Sequence, residues 1–452
     1  MTTKRLYLVH AIDTEGPLTQ SLKATVLRVN ELFGTDFDTE MDHGAMCELV
    51  GRLERGEEEV SDKEEVKRLL ATVNFLSSRA AYAEALRAAG DEVFRRKLAD
   101  PEGNPYRYSW FVLDNTATFI NPRRRLVGYG QVYHCLRESL PTPASFDLDG
   151  FYWHYHQMRR DQHPFVKEAS FFSSDEYEQI LCHRIIESRD FPAAYRAGYC
   201  LERWDANLWL ENWIPFDYSL HSINFEFSMH KRIARENDFW LRAPADWSHY
   251  HPDSHDVERP GNLKRTLFRS LCVNTRLYSL DESEVRRAFE RADRGEPTVV
   301  SGFSHDFRAI APEAEKLFEL VSRVSRDFPE VQWRNATAVE AAAGALGRDD
   351  DEPLQFSMRV EDDVLYVTSN QPVFGSEPFL AVKTVDHRFY QQNFVRVGDT
   401  AWGTPLRHPE IIHYLGVGAC TAAGSTATAL LERTNGTFVN VEGKGYWSGS
   451  PE

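Results

Sequence analysis

The chain has 452 residues, more than one ordinary hydrophobic core accommodates, so we expect several domains or one large domain with an insertion. Its formal net charge of −17 argues against a surface that binds nucleic acid through clustered lysine and arginine. No run of about 18 apolar residues occurs, so no membrane-spanning helix is predicted. Six scattered cysteines without a C-x-x-C pair favour reduced thiols, and we expect a cytoplasmic protein.

The amino-terminal part is predicted to begin with a strand and to continue as helices. The stretch "RLYLVHAID" at 5–13 is typical of a buried strand rather than of a signal peptide, since acidic residues follow it directly. From Ser21 to about Asp100 the chain is acidic, has a helical period and carries few candidate chemical groups. We interpret residues 20–105 as a helical insertion or cover. The β-type composition of "SWFVLDNTATFINP" and "DGFYWHYHQM" then predicts two further strands.

The next part alternates strands with helices. Strands are predicted in "AAYRAGY", "EPTVVSGFSH" and "VQWRNA", and helices in "APEAEKLFELVSRVS", with Pro312 in its first turn, and "TAVEAAAGALG". Such alternation indicates parallel βα units. The polar stretch 347–353 predicts a linker. Beyond it, period-two alternation predicts a β-rich domain, a sandwich, in which "LGVGACTAAGSTATALLERTNG" is expected to form one late helix.

Four of the predicted strands end in ionisable residues. In chain order these residues are Asp13, Glu15, His154, His156, Arg196 and His305. Because ligands bind at the carboxyl ends of the strands in parallel sheets and barrels, we expect the four strand ends to share one pocket.

The first two strand ends carry the residue types of a metal site. His154 and His156 share one face of a strand, and two imidazoles with a carboxylate can hold a divalent ion and leave a position open. Asp13 and Glu15 alternate in the same way, so one could bind the ion while the other accepts a proton. The alternatives are two histidines on a solvated strand and, for "DTEGP", acidic residues that favour the start of a helix.

The other two strand ends carry candidates for orientation and for proton transfer. Arg196 could orient a carboxylate base and keep it ionised, with a surface ion pair as the alternative. His305 could act as a general acid because imidazole titrates near neutral pH, and Asp306 or Arg308 could orient it. Taken alone, "FSHDFR" is also compatible with an ordinary solvated strand end.

Two further polar clusters have less specific interpretations. The basic run "NPRRRLVGYG" at 121–130 could hold an anionic group such as a phosphate or a uronate, and a solvated loop is the alternative. The stretch "DWSHYHPDSHD" at 246–256 gathers three histidines and several acids. It could form a second metal site, but its turn residues favour a polar loop.

Taken in order, the four strand ends resemble the polysaccharide deacetylase (NodB homology) superfamily, of the carbohydrate esterase family 4 type, in a divergent form. The family's first motif, Thr-Phe-Asp-Asp-Gly, is similar to "AIDTEGP", which has a threonine between its carboxylates. Its Arg-x-Pro-Tyr motif is similar to Arg196-Ala-Gly-Tyr199, and its Leu-x-His motif to "GFSHDF". Its histidine pair, normally at i and i+4, corresponds here to His154-Tyr-His156. The resemblance covers residues 5 to about 345.

The resemblance implies an α/β fold, a distorted (β/α) barrel over 1–346 with a helical insertion at about 20–105. Residues 353–452 would be a β-rich accessory domain without a counterpart in the core family. The implied activity is metal-dependent hydrolysis of a C–N amide bond, which deacylates an amino sugar or a glycan-related small molecule. The alternative is a non-catalytic module that binds a glycan or a protein partner. The sequence indicates no oligomeric state, and no nucleic-acid or membrane partner is expected.

The resemblance also implies roles for the strand-end residues. Asp13 would be the base, His305 the acid and Arg196 the residue that orients the base. The divalent ion would be zinc, with iron, cobalt or nickel as alternatives. Its expected ligands are Glu15, His154 and His156, although Asp13 instead of Glu15 remains open as the metal carboxylate.

Overall fold

A computed structural model describes most of the chain, and the structural statements below concern the described residues. These are residues 4–18, 21–72, 75–114, 131–141, 147–156, 176–223, 240–273, 279–348, 352–443 and 445. The basic run at 121–130 lies outside them, as do residues 349–351 of the expected linker.

Seven parallel strands form a closed barrel. They are β1 (Arg5–Thr14), β2 (Ser109–Leu113), β3 (Gly150–Tyr155), β4 (Ala194–Ala197), β5 (Phe216–Leu220), β6 (Thr266–Cys272) and β7 (Thr298–His305). They pair in chain order, and the ring closes because β1 pairs with both β2 and β7. An eighth strand, β8 (Gln332–Asn335), pairs with the first residues of β1. The predicted distorted (β/α) barrel is confirmed.

Helices surround the barrel, and five of them lie between β1 and β2. Those five are α1 (Leu22–Phe33), α2 (His43–Arg55), α3 (Lys63–Thr72), α4 (Arg79–Gly90) and α5 (Glu92–Lys97). The others are α6 (Val132–Ser139), α7 (Glu176–Ser188), α8 (Trp204–Leu210), α9 (Glu282–Asp293), α10 (Ile310–Ser325) and α11 (Ala338–Leu346). The first five form the helical insertion that the sequence predicts. In the parts of the chain that the structure covers, no helix is both long and apolar enough to cross a bilayer.

The strands of the barrel are buried on both faces, as is usual for parallel sheets covered by helices. In β1, the even-numbered residues Leu6 and Leu8 pack towards the insertion and α10, in the largest hydrophobic cluster. The odd-numbered residues Tyr7, Val9 and Ala11 belong to a second cluster that fills the barrel interior. Aromatic rings dominate this interior and pack in contact across it, with Tyr218 of β5 stacked on Phe268 of β6 at 5.2 Å and Phe111 of β2 lying 5.9 Å from Tyr218.

The carboxyl-terminal region consists of two antiparallel sheets, which confirms the predicted β-rich region. Its strands are β9 (Phe356–Glu361), β10 (Val364–Ser369), β11 (Phe379–Thr384), β12 (Phe389–Gln392), β13 (Val395–Gly398), β14 (Ala401–Pro405), β15 (Ile412–Cys420), β16 (Thr426–Thr434) and β17 (Thr437–Asn440). The strand orders are β13-β14-β10-β9 and β12-β11-β15-β16-β17.

The predicted late helix is wrong, because its residues form the hairpin of β15 and β16. Two glycines in β15 allow this sheet to lie directly against the barrel. A Cβ atom on Gly416 would lie 2.7 Å from Ile185, and one on Gly418 would lie 2.6 Å from Phe191. Gly424 has a φ of +95° in the connecting turn, a conformation that favours glycine. Close packing and turn geometry therefore override the alanine-rich, helix-like composition.

The carboxyl-terminal sheets share a hydrophobic core with the barrel. One buried cluster contains Ile185 of α7 and Phe191 together with Phe379 of β11 and Cys420 of β15. An ion pair also crosses this contact, since Lys383 Nζ lies 3.0 Å from Glu187 Oε1. The five-stranded sheet therefore covers an apolar face of the barrel domain.

Candidate functional site

The carboxyl end of the barrel interior is polar, in contrast to the aromatic layers beneath it. Asp13 continues the inward-facing series of β1, two residues beyond Ala11. It is in register with His305 of β7. It also meets Arg196 of β4, a strand on the far side of the ring, which shows that both side chains point into the barrel.

Three buried side chains form a cluster with the geometry of a metal site. His154 at the end of β3 and His156 just beyond it approach each other with 3.0 Å between their Nε2 atoms. Glu15, just beyond β1, places Oε1 3.3 Å from His156 Nε2, and one donor atom from each residue lies within 4.8 Å of the others. Ligands about 2.0–2.1 Å from a tetrahedral zinc ion are roughly 3.3 Å apart. The three side chains therefore fit a divalent ion.

The hydrogen bond of His154 prepares this ring to be a ligand. Its Nδ1 lies 2.8 Å from the carbonyl oxygen of Arg196, which can only accept, so Nδ1 carries the proton and Nε2 keeps its lone pair. Burial lowers the pKa of His154, although the carboxylates of Asp13 and Glu15 oppose that shift. A neutral imidazole with a free Nε2 is the form that binds a metal ion.

The turn after β4 is shaped to admit His156. Gly198 begins a short 3-10 turn there, and a Cβ atom on it would lie only 2.4 Å from Cδ2 of His156. A side chain at position 198 would therefore push the imidazole out of its place beside His154. The glycine of the Arg196-Ala-Gly stretch is thus required by the close approach of this ring.

Arg196 holds Asp13 through a fully buried hydrogen bond. Its Nε donates to Asp13 Oδ1 at 2.6 Å, its Nη1 to the carbonyl oxygen of Tyr218 and its Nη2 to Cys200 Sγ at 3.3 Å. The guanidinium carbon also lies 3.9 Å from the centre of the Phe303 ring. The predicted pairing of Arg196 with a carboxylate is therefore present, and that carboxylate is Asp13.

His305 lies on the other side of Asp13, with its Nε2 3.7 Å from Asp13 Oδ2. Arg308 Nη2 lies 2.8 Å from His305 Nδ1. Because a guanidinium can only donate, Nδ1 is the acceptor and the proton of the neutral ring is on Nε2, which faces Asp13. Asp306 and Arg308 were the two candidates for orienting His305, and Arg308 makes the contact.

Asp306 is turned away from His305 and is fully buried. Its Oδ1 accepts the backbone N–H of Glu15 at 2.7 Å, and its Oδ2 accepts the N–H of Gly16 at 3.0 Å and the hydroxyl of Tyr82 at 2.6 Å. Burial raises the pKa of Asp306 to about 6. Tyr82 belongs to helix α4 of the insertion, and nothing in its local sequence indicates a link with the site.

The structure thus brings all six predicted strand-end residues together. It also gives different neighbours to the two carboxylates, Asp13 and Glu15, that the sequence left open as metal ligands. Glu15 lies with the histidine pair, and Asp13 lies with Arg196 and His305. The stretch 246–256 shows no comparable group: the Glu15 cluster is the one three-donor cluster among the described residues. Within 246–256, His251 Nδ1 donates to a backbone carbonyl.

Comparisons with known proteins add little to this geometry. No protein-family model and no curated protein matches the chain. A crystal structure of a "putative glycoside hydrolase/deacetylase" from Parabacteroides distasonis is similar over 87% of this chain and 86% of its own, with a TM-score of 0.36 and 9% sequence identity. A likeness this low carries no argument about activity, so function rests on the side chains described above.

Proposed function

We propose that the protein is a metal-dependent hydrolase of a C–N amide bond, acting on an acylated amino sugar or a related small molecule or glycan. The observation that carries the proposal is the buried Glu15, His154 and His156 cluster directly beside an Asp13–Arg196 pair. The substrate class comes from the resemblance of the strand-end motifs to polysaccharide deacetylases. The chemistry below comes from the contacts of these side chains.

Glu15, His154 and His156 would hold the ion. Two imidazole nitrogens and one carboxylate oxygen suit zinc, and also iron, cobalt or nickel. When bound, such an ion polarises an amide carbonyl and lowers the pKa of a bound water molecule.

Asp13 is placed to accept a proton from the attacking water. Arg196 occupies its Oδ1, and Oδ2 is the oxygen that faces His305. The hydrogen bond from the guanidinium fixes the orientation of this carboxylate. Asp13 therefore has the placement of a general base.

His305 is placed to protonate the leaving amine nitrogen as the C–N bond breaks. The proton donor is the imidazolium form of His305, and its Nε2 faces Asp13 Oδ2. His305 is also the most exposed of the six strand-end side chains, at 14%, as expected of a group that meets a substrate entering from solvent. Transfer of the proton from Asp13 back to His305 would reset both groups for the next turnover.

Metal analysis of purified variants tests the proposal. The wild-type protein is expected to bind close to one equivalent of zinc, and His154→Ala and His156→Ala each to lose most of it, because each removes a coordinating nitrogen. His255→Ala is the matched control, since that side chain is 93% exposed. Equal metal content in the wild type and the His154→Ala/His156→Ala double variant would overturn the proposal.

A further inference from the structure

The loop that carries Glu15 is anchored by the end of strand β7. The two consecutive N–H groups of Glu15 and Gly16 converge on the two oxygens of the Asp306 carboxylate. The N–H of Asp306 donates in turn to the carbonyl oxygen of Asp13 at 3.3 Å. Gly16 has a φ of +76°, so the chain turns sharply directly after Glu15. Successive N–H groups around one carboxylate define the path of a turn closely.

The helical insertion completes this anchor. Tyr82 of α4 donates its hydroxyl to Asp306 Oδ2, and both side chains are fully buried. Just before α4, the N–H of Leu76 donates to the carbonyl oxygen of Phe307 at 2.8 Å, and the carbonyl oxygen of Leu76 accepts the N–H of Leu18 at 3.2 Å. The insertion therefore bonds to the chain beyond β1 and beyond β7, on both sides of the Glu15 turn.

We propose that Asp306 and Tyr82 are positioning residues for the metal ligand Glu15, and that the helical insertion serves to hold this ligand in place. The inference rests on the proposed function, because it requires Glu15 to bind the ion. Asp306 accepts the two N–H groups of the Glu15–Gly16 turn and Tyr82 donates to Asp306, so both would act through the backbone of this turn. Residues that orient a ligand in this way typically contribute about 10- to 100-fold to metal affinity.

Zinc affinity, measured by competition with a chromogenic chelator, is the direct test. The carboxylate of Asp306 accepts three hydrogen bonds, from two backbone N–H groups and the Tyr82 hydroxyl. In Asp306→Asn an NH2 group replaces one carboxylate oxygen, so it would face at least one of these donors and that hydrogen bond would be lost. We expect zinc affinity to fall about 10- to 100-fold. Tyr82→Phe removes only one of the three hydrogen bonds, and we expect a smaller but measurable loss of zinc affinity, about 3- to 10-fold.

Two comparisons separate positioning from a general loss of stability. Asp149→Asn is the matched control, since Asp149 is buried and accepts Arg95, Trp110 and the Tyr108 N–H, but lies just before the amino end of β3. It should lower the melting temperature and leave the zinc affinity of the folded protein unchanged. In a Glu15→Ala background, Asp306→Asn should have no further effect on zinc affinity, because the ligand that it positions is absent.

The outcomes distinguish this inference from the function on which it rests. If His154→Ala lowers zinc affinity but Asp306→Asn and Tyr82→Phe do not, the positioning role is wrong and the metal site stands. The role is also wrong if Asp306→Asn weakens zinc binding equally with and without Glu15. If His154→Ala has no effect on zinc binding, the proposed function itself fails. Should Asp306→Asn not fold, Tyr82→Phe still decides the question.

Discussion

His305 and Asp13 differ in their environments although they face each other across 3.7 Å. Asp13 is buried, and its carboxylate is held in one orientation by the Arg196 guanidinium. His305 is partly exposed, and its Nε2 faces Asp13 Oδ2. This asymmetry is the reason for assigning the base to Asp13 and the acid to His305.

The first residue-scale prediction concerns His305→Ala. Because His305 lies outside the metal cluster, the variant should keep its zinc and its fold while kcat falls on the order of a hundred- to ten-thousand-fold. The wild-type rate should show a bell-shaped dependence on pH, and His305→Ala should lose the alkaline limb, because that limb reports loss of the imidazolium proton. Zinc analysis, circular dichroism and steady-state kinetics on an N-acylated amino sugar check this. Full activity in the variant would leave His305 as an ordinary strand-end histidine.

A second residue-scale prediction concerns Gly198→Ala. The added Cβ would lie 2.4 Å from the ring of His156, so the imidazole must move and zinc affinity should fall by at least about 10-fold. Gly51→Ala in α2 is the matched control, because within 4 Å its new Cβ would meet only the far end of the Arg55 side chain, at 3.2 Å. Both affinities can be measured by chelator competition. Unchanged affinity in Gly198→Ala would mean that His156 is not a ligand in its present position.

At the scale of the elements, strand β1 organises the molecule. It pairs with three strands, β2, β7 and β8. Its two faces meet different hydrophobic clusters. Its odd-numbered residues lead to Asp13 in the interior, and its even-numbered residues pack under the insertion. His10 is among the even-numbered residues, where its ring nitrogens contact Ser304 Oγ and the Tyr106 hydroxyl.

His10 should make the fold sensitive to acid. Burial lowers the pKa of His10 from 6.5 to about 3, so below pH 6.5 the unfolded chain binds a proton that the folded protein does not. The free energy of unfolding should therefore decrease as the pH falls from about 6.5 towards 3, by up to about 1.4 kcal/mol per pH unit from this residue. It should recover as the pH rises again through the same window.

Urea denaturation of the wild type and His10→Gln at several pH values between 7 and 4 checks this prediction. The slope of unfolding free energy against pH should be shallower in the variant by up to one proton, whatever its stability at pH 7. The carboxylates titrate in both proteins, so their contribution to the slope cancels when the two slopes are subtracted. Equal slopes would show that His10 becomes protonated without unfolding.

At the scale of the whole molecule, the carboxyl-terminal sheets share a hydrophobic core with the barrel domain. Glycines of β15 lie against Ile185 and Phe191, and the shared cluster spans both regions. Removal of these sheets would expose the apolar side of α7, which costs about 25 cal/mol for each Å² of apolar surface. The proposed domain boundary in the linker 347–353 thus joins two regions with a common core.

We accordingly expect one cooperative unfolding transition. Proteolytic cleavage within 347–353 should leave the two fragments associated, because the apolar contact does not depend on the linker. Size-exclusion chromatography of the cleaved protein and calorimetry of the intact chain measure this. Release of a folded carboxyl-terminal fragment, or two separate calorimetric transitions, would identify residues 353–452 as an independent accessory domain.

The sequence by itself determined the strands and the ionisable residues at their ends. The period-two alternation and apolar runs predict β1, β3 and β7, and strand parity places His154 and His156 on one side of the chain. These are local properties, because a side chain's face depends only on the backbone period. The convergence of all four strand ends follows from the parallel arrangement of the strands.

Only the tertiary structure decided which partners these residues have. The structure places Glu15, and not Asp13, in the histidine cluster. Asp306 contacts Glu15, 291 positions away in the chain, and Tyr82, 224 positions away. The hairpin at β15 and β16 likewise follows from close packing on Ile185 and Phe191, against the helical tendency of its alanines. Such contacts depend on closure of the barrel and on packing between segments that are far apart in the sequence. Local sequence patterns predict neither of these.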